Sequence, residues 1–209
     1  MTGFLFYSDN LAFFVSIFES MKESTTNKMI SVMNEMDIPD GYRNTPIERL
    51  ILYHNLNLQP DSYERAEVLV MMCMDYRQEL KLPQNFAFFV RNSGGTRNGV
   101  SFSISFAAAI GGIRHIAVIG HNDCMMVDLE SRRAEFVRGL SECCGWEEAI
   151  AESYFLDSCV LFKKNDTAGS VVSEVELIRS QYPGIVVTPL FYSLEDDHLY
   201  MINEDKEET

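Results

Sequence analysis

The chain has 209 residues, of which 46% are apolar and 23% charged, a composition typical of a soluble globular protein with a substantial core. Its formal net charge is −14, and so acidic a surface repels nucleic-acid phosphates and anionic lipid headgroups. The composition therefore indicates a single soluble domain and argues against a nucleic acid or a membrane surface as the partner.

The number and arrangement of the cysteines indicate reduced thiols. There are five, Cys73, Cys124, Cys143, Cys144 and Cys159, and an odd number in a chain of this length is not typical of a disulfide framework. Cytoplasmic thiols, some of them free to bind a metal, fit better. Adjacent cysteines cannot easily pair without strain, so we expect Cys143, Cys144 and Cys159 to be buried thiols.

The amino-terminal 20 residues are apolar and aromatic, and residues 11–18 are almost uninterrupted. The segment lacks the basic region and cleavage site of a signal peptide, and it is too short to span a bilayer. We expect a helix packed on its own domain or an arm packed on a partner subunit, because so apolar a segment needs cover. The two interpretations are compatible.

The first well-marked helix begins at Thr45. A capping hydroxyl at Thr45, a proline at Pro46 and a glutamate at Glu48 are typical of a helix start. Apolar residues then follow at helical spacing.

Apolar runs and small-residue segments alternate through the rest of the chain. Four runs have the length and composition of buried parallel strands, two segments between them are predicted helices, and a hairpin closes the pattern. The strands are residues 68–72, 87–90, 116–119 and 185–190; the helices are 99–112 and 171–181; the hairpin joins 191–194 to 199–202.

This alternation predicts an α/β fold. We expect a mainly parallel central sheet of about four parallel strands plus a C-terminal antiparallel edge strand, flanked by helices and preceded by an N-terminal helical arm. The whole chain, residues 1–209, forms one domain. Residues 1–60 are the arm, residues 66–202 the α/β core, and residues 203–209 an acidic tail.

Three potential metal ligands follow two of the predicted strands. Cys73 comes directly after the first, and His121 and Cys124 follow the third. Ligands bind at the carboxyl ends of parallel strands, and two thiolates with one imidazole suit Zn²⁺. Three protein ligands leave a fourth position for water, as in catalytic rather than structural sites.

Each of these residues also has a plain structural explanation. A cysteine that ends a strand is often a small buried hydrophobe, a lone histidine is often a hydrogen-bonded core residue, and an Asp-x-Arg pair such as Asp75 and Arg77 is often a surface ion pair. The combination at converging strand ends favours a metal site, although it does not select a reaction.

Three sequence blocks resemble the signature blocks of the β-class carbonic anhydrases. They are CMDYR at 73–77, RNSGG at 91–95 and HNDC at 121–124. The family has Cys-x-Asp-x-Arg, Arg-Asn-Ala-Gly and His-x-x-Cys in the same order and at similar separations. The resemblance is close over residues 66–126 and looser over residues 171–201.

The resemblance implies that Cys73, His121 and Cys124 bind zinc and that Asp75 and Arg77 form a dyad beside the fourth position. The implied activity is the reversible hydration of carbon dioxide to bicarbonate by zinc-bound hydroxide, which the dyad orients. It further implies a homodimer or a dimer of dimers, with the active site at a subunit interface. In the family's second state, Asp75 binds the zinc and displaces the water.

Several residues depart from the family pattern and leave the substrate open. Met125 stands where the family has glycine, Ser93 replaces alanine, and Glu64 occupies the place of a substrate-contacting glutamine. Hydrolysis of CS₂ or COS on the same zinc is one alternative. Another is a catalytically silent zinc protein with a regulatory or interaction role.

Two further residues near the site have two interpretations each. Arg91 either pairs with a carboxylate or is a solvated arginine at the end of a strand. Asp123 either fixes the orientation of a ligand or is a turn aspartate bonded to its own backbone. The glycines of RNSGG predict a tight turn that lets the backbone approach the site.

Overall fold

The computed structural model describes residues 29–162 and 167–204. The apolar segment at residues 11–18 lies outside these ranges, as do residues 205–209 of the acidic tail. No helix within the two described ranges combines the length and the apolar content that crossing a membrane requires.

The described residues form six β-strands and five α-helices. In chain order they are β1 (Met29–Ser31), α1 (Pro46–Leu56), β2 (Val68–Cys73), β3 (Ala87–Asn92), α2 (Ser101–Ala109), β4 (His115–His121), α3 (Arg133–Cys144), α4 (Glu148–Phe162), α5 (Thr167–Gln181), β5 (Val186–Ser193) and β6 (His198–Ile202). The four predicted strands and the two predicted helices correspond to β2, β3, β4, β5, α2 and α5.

One mixed sheet contains all six strands, in the order β1-β6-β5-β4-β2-β3. Strands β3, β2, β4 and β5 are mutually parallel, and β6 is antiparallel to β5. The predicted fold class is confirmed, with one addition: β1 pairs with β6 and lies at the edge outside it. At three residues, β1 is too short to produce a readable apolar pattern.

Apolar side chains cover both faces of the sheet, which explains why the parallel strands are continuous apolar runs. On one face, Ile47 and Leu50 of α1 pack with Val70 of β2. On the other, Leu69 of β2 packs with Val175 of α5. The two layers fix the strands, so their carboxyl ends form one continuous edge.

The predicted start of the first helix is also confirmed. The hydroxyl of Thr45 accepts a hydrogen bond from the backbone N–H of Glu48, and Pro46 is the first helical residue. Glu48 in turn accepts the backbone N–H of Asn44 at 2.6 Å. Residues 29–60, which we assigned to a helical arm, thus contain α1 together with β1 and two short 3₁₀ helices.

The prediction that three cysteines are buried is correct for one of them. Cys159 is buried in α4, but Cys143 and Cys144 are exposed. The two occupy the last turn of α3, which buries none of its residues, and the left-handed Gly145 ends the helix. The adjacent thiols therefore face solvent rather than the core.

Candidate metal centre

The three predicted ligands converge at the carboxyl edge of the sheet. Strands β2 and β4 are parallel neighbours with Met72 opposite Ile119, so Cys73 and His121 leave the sheet side by side. Cys124 follows His121 by three residues. The candidate ligand atoms of Cys73, His121 and Cys124 all lie within 4.8 Å of one another, and all three residues are buried. Such a group can hold a metal ion.

The hydrogen bonding of His121 fits a metal ligand. Its Nδ1 lies 2.8 Å from the carbonyl oxygen of Asn122, and because a carbonyl only accepts, Nδ1 carries the proton. Its Nε2 is therefore an acceptor, and it is buried without a hydrogen-bond partner among the described residues. A buried acceptor without a partner is costly, whereas a metal ion would use its lone pair.

The environment of Cys73 favours the thiolate. A hydrogen bond from the Cys124 thiol lowers the pKa of Cys73 to about 4, against the effect of burial, which raises it. The backbone N–H groups of Asp75 and Gly94 lower this pKa further. Because the thiolate is the form that binds metals, the site favours the protonation state that a cation requires.

Asp75 and Arg77 form a tight ion pair beside the cluster. The guanidinium donates from Nη2 to Oδ2 of Asp75 at 2.7 Å and from Nε to Oδ1 at 3.0 Å, and the backbone N–H of Arg77 also donates to Oδ1. These bonds lower the pKa of Asp75 to about 2 although burial raises it. The carboxylate is therefore ionised at any pH near neutrality.

Asp123 is a second carboxylate on the same guanidinium. Its Oδ2 accepts from Nη1 of Arg77 at 2.7 Å, and its carbonyl oxygen accepts from Nη2 at 3.0 Å. The sequence left open whether Asp123 orients a ligand or bonds to its own turn, and its side chain instead bonds to Arg77. Its backbone is left-handed, with φ of 50°.

The RNSGG segment forms the predicted tight turn, a 3₁₀ helix at Ser93–Gly95. Gly94 and Gly95 both have positive φ, of 73° and 66°. A Cβ atom on Gly95 would lie 3.0 Å from the backbone nitrogen of Cys73, so only glycine allows this close approach. The turn therefore lies directly against the ligand-bearing strand.

Arg91, at the end of β3, bonds to main-chain carbonyl groups of residues 73–78 and to no carboxylate among the described residues. Neither interpretation offered by the sequence anticipated this arrangement. No sequence signal identifies it, because the three acceptors are backbone atoms that any residue would supply.

The departures from the family pattern lie in different places. Met125 is exposed beside Cys124, and Met74 and Tyr76, which flank Asp75, are exposed as well. Glu64 precedes β2 and is exposed, so it lies at the end of that strand opposite to Cys73. Within one chain, Glu64 is therefore remote from the metal centre.

No protein-family model matches the sequence, and no curated protein is significantly similar to it. Solved structures do match. A carbonic anhydrase from Glaciozyma antarctica is 22% identical, with a TM-score of 0.54 over 79% of this chain and 100% of that one. A β-carbonic anhydrase from Trichomonas vaginalis is 17% identical, with a TM-score of 0.55 over 80% of this chain and 100% of that one.

The apo form of a carbon disulfide hydrolase is also similar, at 21% identity and a TM-score of 0.50, over 76% of this chain and 87% of that one. At these identities the likeness concerns the fold. The parallel strands, the antiparallel strand and the flanking helices of this chain thus have the architecture of the β-class carbonic anhydrases.

Proposed function

We propose that this protein is a zinc-dependent carbonic anhydrase that interconverts carbon dioxide and bicarbonate. Cys73, His121 and Cys124 would hold the zinc ion, with Asp75 and Arg77 beside it. The observation that carries the proposal is the convergence of these three buried ligand atoms, with Nε2 of His121 unpartnered among the described residues.

The donor set favours zinc in a catalytic role. Two sulfur atoms and one imidazole nitrogen suit Zn²⁺, and a purely structural site would normally have a fourth protein ligand. Among the described residues, the cluster contains three. Zinc, when bound, would supply Lewis-acid chemistry that makes water a nucleophile, toward alkaline pH because two thiolates cancel the charge of the metal.

Asp75 is suited to orient the attacking water. Three N–H donors of Arg77 occupy about three of the four lone-pair positions of its carboxylate, which leaves one to accept a hydrogen bond from water. Arg77 keeps Asp75 ionised, and Asp123 keeps Arg77 in place. Asp75 would thus act as a fixed acceptor rather than as a titrating base.

Hydrolysis of CS₂ or COS is the second candidate. It is supported by the fold shared with a carbon disulfide hydrolase, and it needs the same metal and nucleophile. The exposed thioethers of Met74 and Met125 beside the ligands also suit an apolar sulfur-containing substrate. Parallel assays with CO₂, CS₂ and COS distinguish the two candidates.

A homodimer or a dimer of dimers completes the proposal. Large apolar side chains are exposed on the edge strand β3 and on α2 and the residue that caps its end, since Phe102 is 81% and Ile110 is 73% exposed. Several large apolar side chains exposed in this way are typical of a protein interface. The free cysteines are compatible with a cytoplasmic protein.

Stopped-flow CO₂ hydration with zinc-loaded protein across pH tests the proposal. We expect Asp75→Asn to lower kcat/KM on the order of 100-fold, and Arg77→Ala to lower it as well. Glu204→Gln is the matched control, because Glu204 pairs with Arg179 away from the site and its loss should leave turnover unchanged. Stoichiometric zinc without activity on any of the three substrates would leave only a silent zinc protein.

A further inference from the structure

Strand β2 ends at Cys73, and the loop that follows it contains Asp75. The sheet is hydrogen-bonded only to the beginning of this loop. The backbone N–H of Met74 donates to the carbonyl of Asn92 at 2.8 Å, and this is the last main-chain bond between the loop and β3 among the described residues. Beyond it, residues 75–78 belong to no strand. Something other than the β-ladder must therefore fix the position of Asp75.

The side chain of Arg91 supplies this restraint. Its Nε donates to the carbonyl oxygen of Cys73 at 3.1 Å, and its Nη2 donates to the carbonyl oxygens of Asp75 at 2.6 Å and of Gln78 at 3.2 Å. One guanidinium thus joins the beginning, the middle and the end of the loop to β3. Arg91 forms no ion pair with any described residue, and its N–H groups donate to the carbonyl groups of Cys73, Asp75 and Gln78 instead.

We propose that Arg91 is a positioning residue, which fixes the backbone of residues 73–78 and thereby the orientation of the Cys73 thiolate and the Asp75 carboxylate. The inference rests on the proposed function only where it concerns zinc. Arg91 touches neither the ligand atoms nor the carboxylate, so it acts through the loop. The guanidinium reaches these separate carbonyl groups from two nitrogens held in one plane, whereas a lysine has all its donors on a single nitrogen.

Arg114 offers a matched control. Its Nη1 donates to the carbonyl oxygens of Ala108 and Ile113 at 3.1 and 2.8 Å, in the connection that leads into the amino end of β4. It therefore makes the same kind of contact at the opposite end of the sheet. The test compares Arg91→Gln and Arg91→Lys with Arg114→Gln and Arg114→Lys.

The first measurement is amide hydrogen exchange of residues 73–78 in the metal-free proteins. We expect faster exchange in both Arg91 variants and wild-type exchange in both Arg114 variants. The second is the rate of zinc release to excess chelator, which the Arg91 variants should raise about tenfold or more. The third is the visible spectrum of the cobalt-substituted protein, which reports ligand geometry and should change only in the Arg91 variants.

Each outcome decides the inference. Exchange or zinc release that matches the Arg114 variants would overturn it, and so would restoration of wild-type values by lysine at position 91. If Arg91→Gln does not fold, Arg91→Lys is compared with Arg114→Lys alone. A wild-type protein that fails to bind zinc would overturn the proposed function, while hydrogen exchange in the metal-free proteins would still decide whether Arg91 holds the loop.

Discussion

Asp123 and Arg77 are joined by a 2.7 Å hydrogen bond from Nη1 to Oδ2, which connects the loop after β4 to the loop after β2. Cys73 and His121 are the strand residues from which these two loops begin, and Cys124 lies within the second loop. Arg77 is thus held from two sides, by the buried Asp75 and by an Asp123 side chain that is 78% exposed. An exposed partner contributes less than a buried one, because water screens it.

Replacement of Asp123 by asparagine should therefore have a small effect on turnover. Asparagine tolerates the left-handed backbone and keeps the carbonyl acceptor, so only the charge is lost. We expect kcat/KM for CO₂ hydration to fall about two- to fivefold, far less than for Asp75→Asn. Asp128→Asn is the control, since Asp128 is exposed with a similar φ of 53°. A loss as large as that of Asp75→Asn would mean that Asp123 itself contacts the substrate.

Alanine substitutions at Gly95 and Gly99 distinguish the effect of backbone strain from the effect of a close contact. Both have positive φ, of 66° and 74°, but a Cβ on Gly95 would meet the backbone of Cys73 and Met72, whereas one on Gly99 meets nothing within 4 Å. Alanine at either position costs about 1 kcal/mol or more for the left-handed conformation. We expect Gly95→Ala alone to weaken zinc binding as well, measured by competition with a chromogenic chelator. Equal zinc affinities in the two variants would show that the turn does not constrain Cys73.

The parts of the fold that could be predicted are those whose signal is local. The strands β2 and β4 are buried on both faces and are therefore unbroken apolar runs, and the side chains after such strands must meet at one edge. For this reason Cys73, His121 and Cys124 could be proposed together. Helix α1 could be placed because the chemistry of its cap lies within the four residues from Thr45 to Glu48.

The parts that could not be predicted depend on contacts distant in sequence. Arg77 and Asp123 are 46 residues apart, and Arg91 reaches back 18 residues to Cys73. The exposure of Cys143 and Cys144 depends on which face of α3 meets the domain, and α3 buries no residue that would reveal this face. Local patterns cannot indicate any of these relationships.

Gln78 has a buried side-chain amide for which the described part of the chain offers no partner. The residue is 1% exposed, and neither its Nε2 nor its Oε1 has a hydrogen-bond partner among the described residues. An unsatisfied buried amide costs about 1–3 kcal/mol. Gln78→Met, which keeps the length of the side chain, should raise the free energy of unfolding in urea by about 1–2 kcal/mol.

The exposed Gln84 provides the control for this prediction. Gln84→Met should change the stability by no more than about 0.5 kcal/mol, as expected of a surface position. A fall in stability for Gln78→Met would show that the amide is satisfied, for example by a buried water molecule.

Because of His54, the stability of the protein should decrease as the pH falls. The residue is buried in α1, where its Nδ1 accepts the backbone N–H of Lys81 at 3.2 Å, and burial lowers its pKa to about 4 from the ordinary value of 6.5. Between these two values, the unfolded chain takes up a proton that the folded protein does not. Stability is therefore fully present above about pH 6.5 and decreases as the pH falls toward 4.

His54→Asn removes this titration, because an asparagine oxygen can replace Nδ1 as the acceptor for Lys81. We expect unfolding free energies from urea titrations at pH 7, 6, 5 and 4.5 to fall less steeply in the variant than in the wild type. The difference between the two slopes gives the contribution of His54 to the pH dependence of stability, since the other titrating groups are common to both proteins. Between pH 7 and 4.5, the wild type should lose on the order of 2 kcal/mol more unfolding free energy than the variant. Parallel curves for the two proteins would mean that His54 is protonated in the folded state, which its hydrogen bond from the backbone of Lys81 opposes.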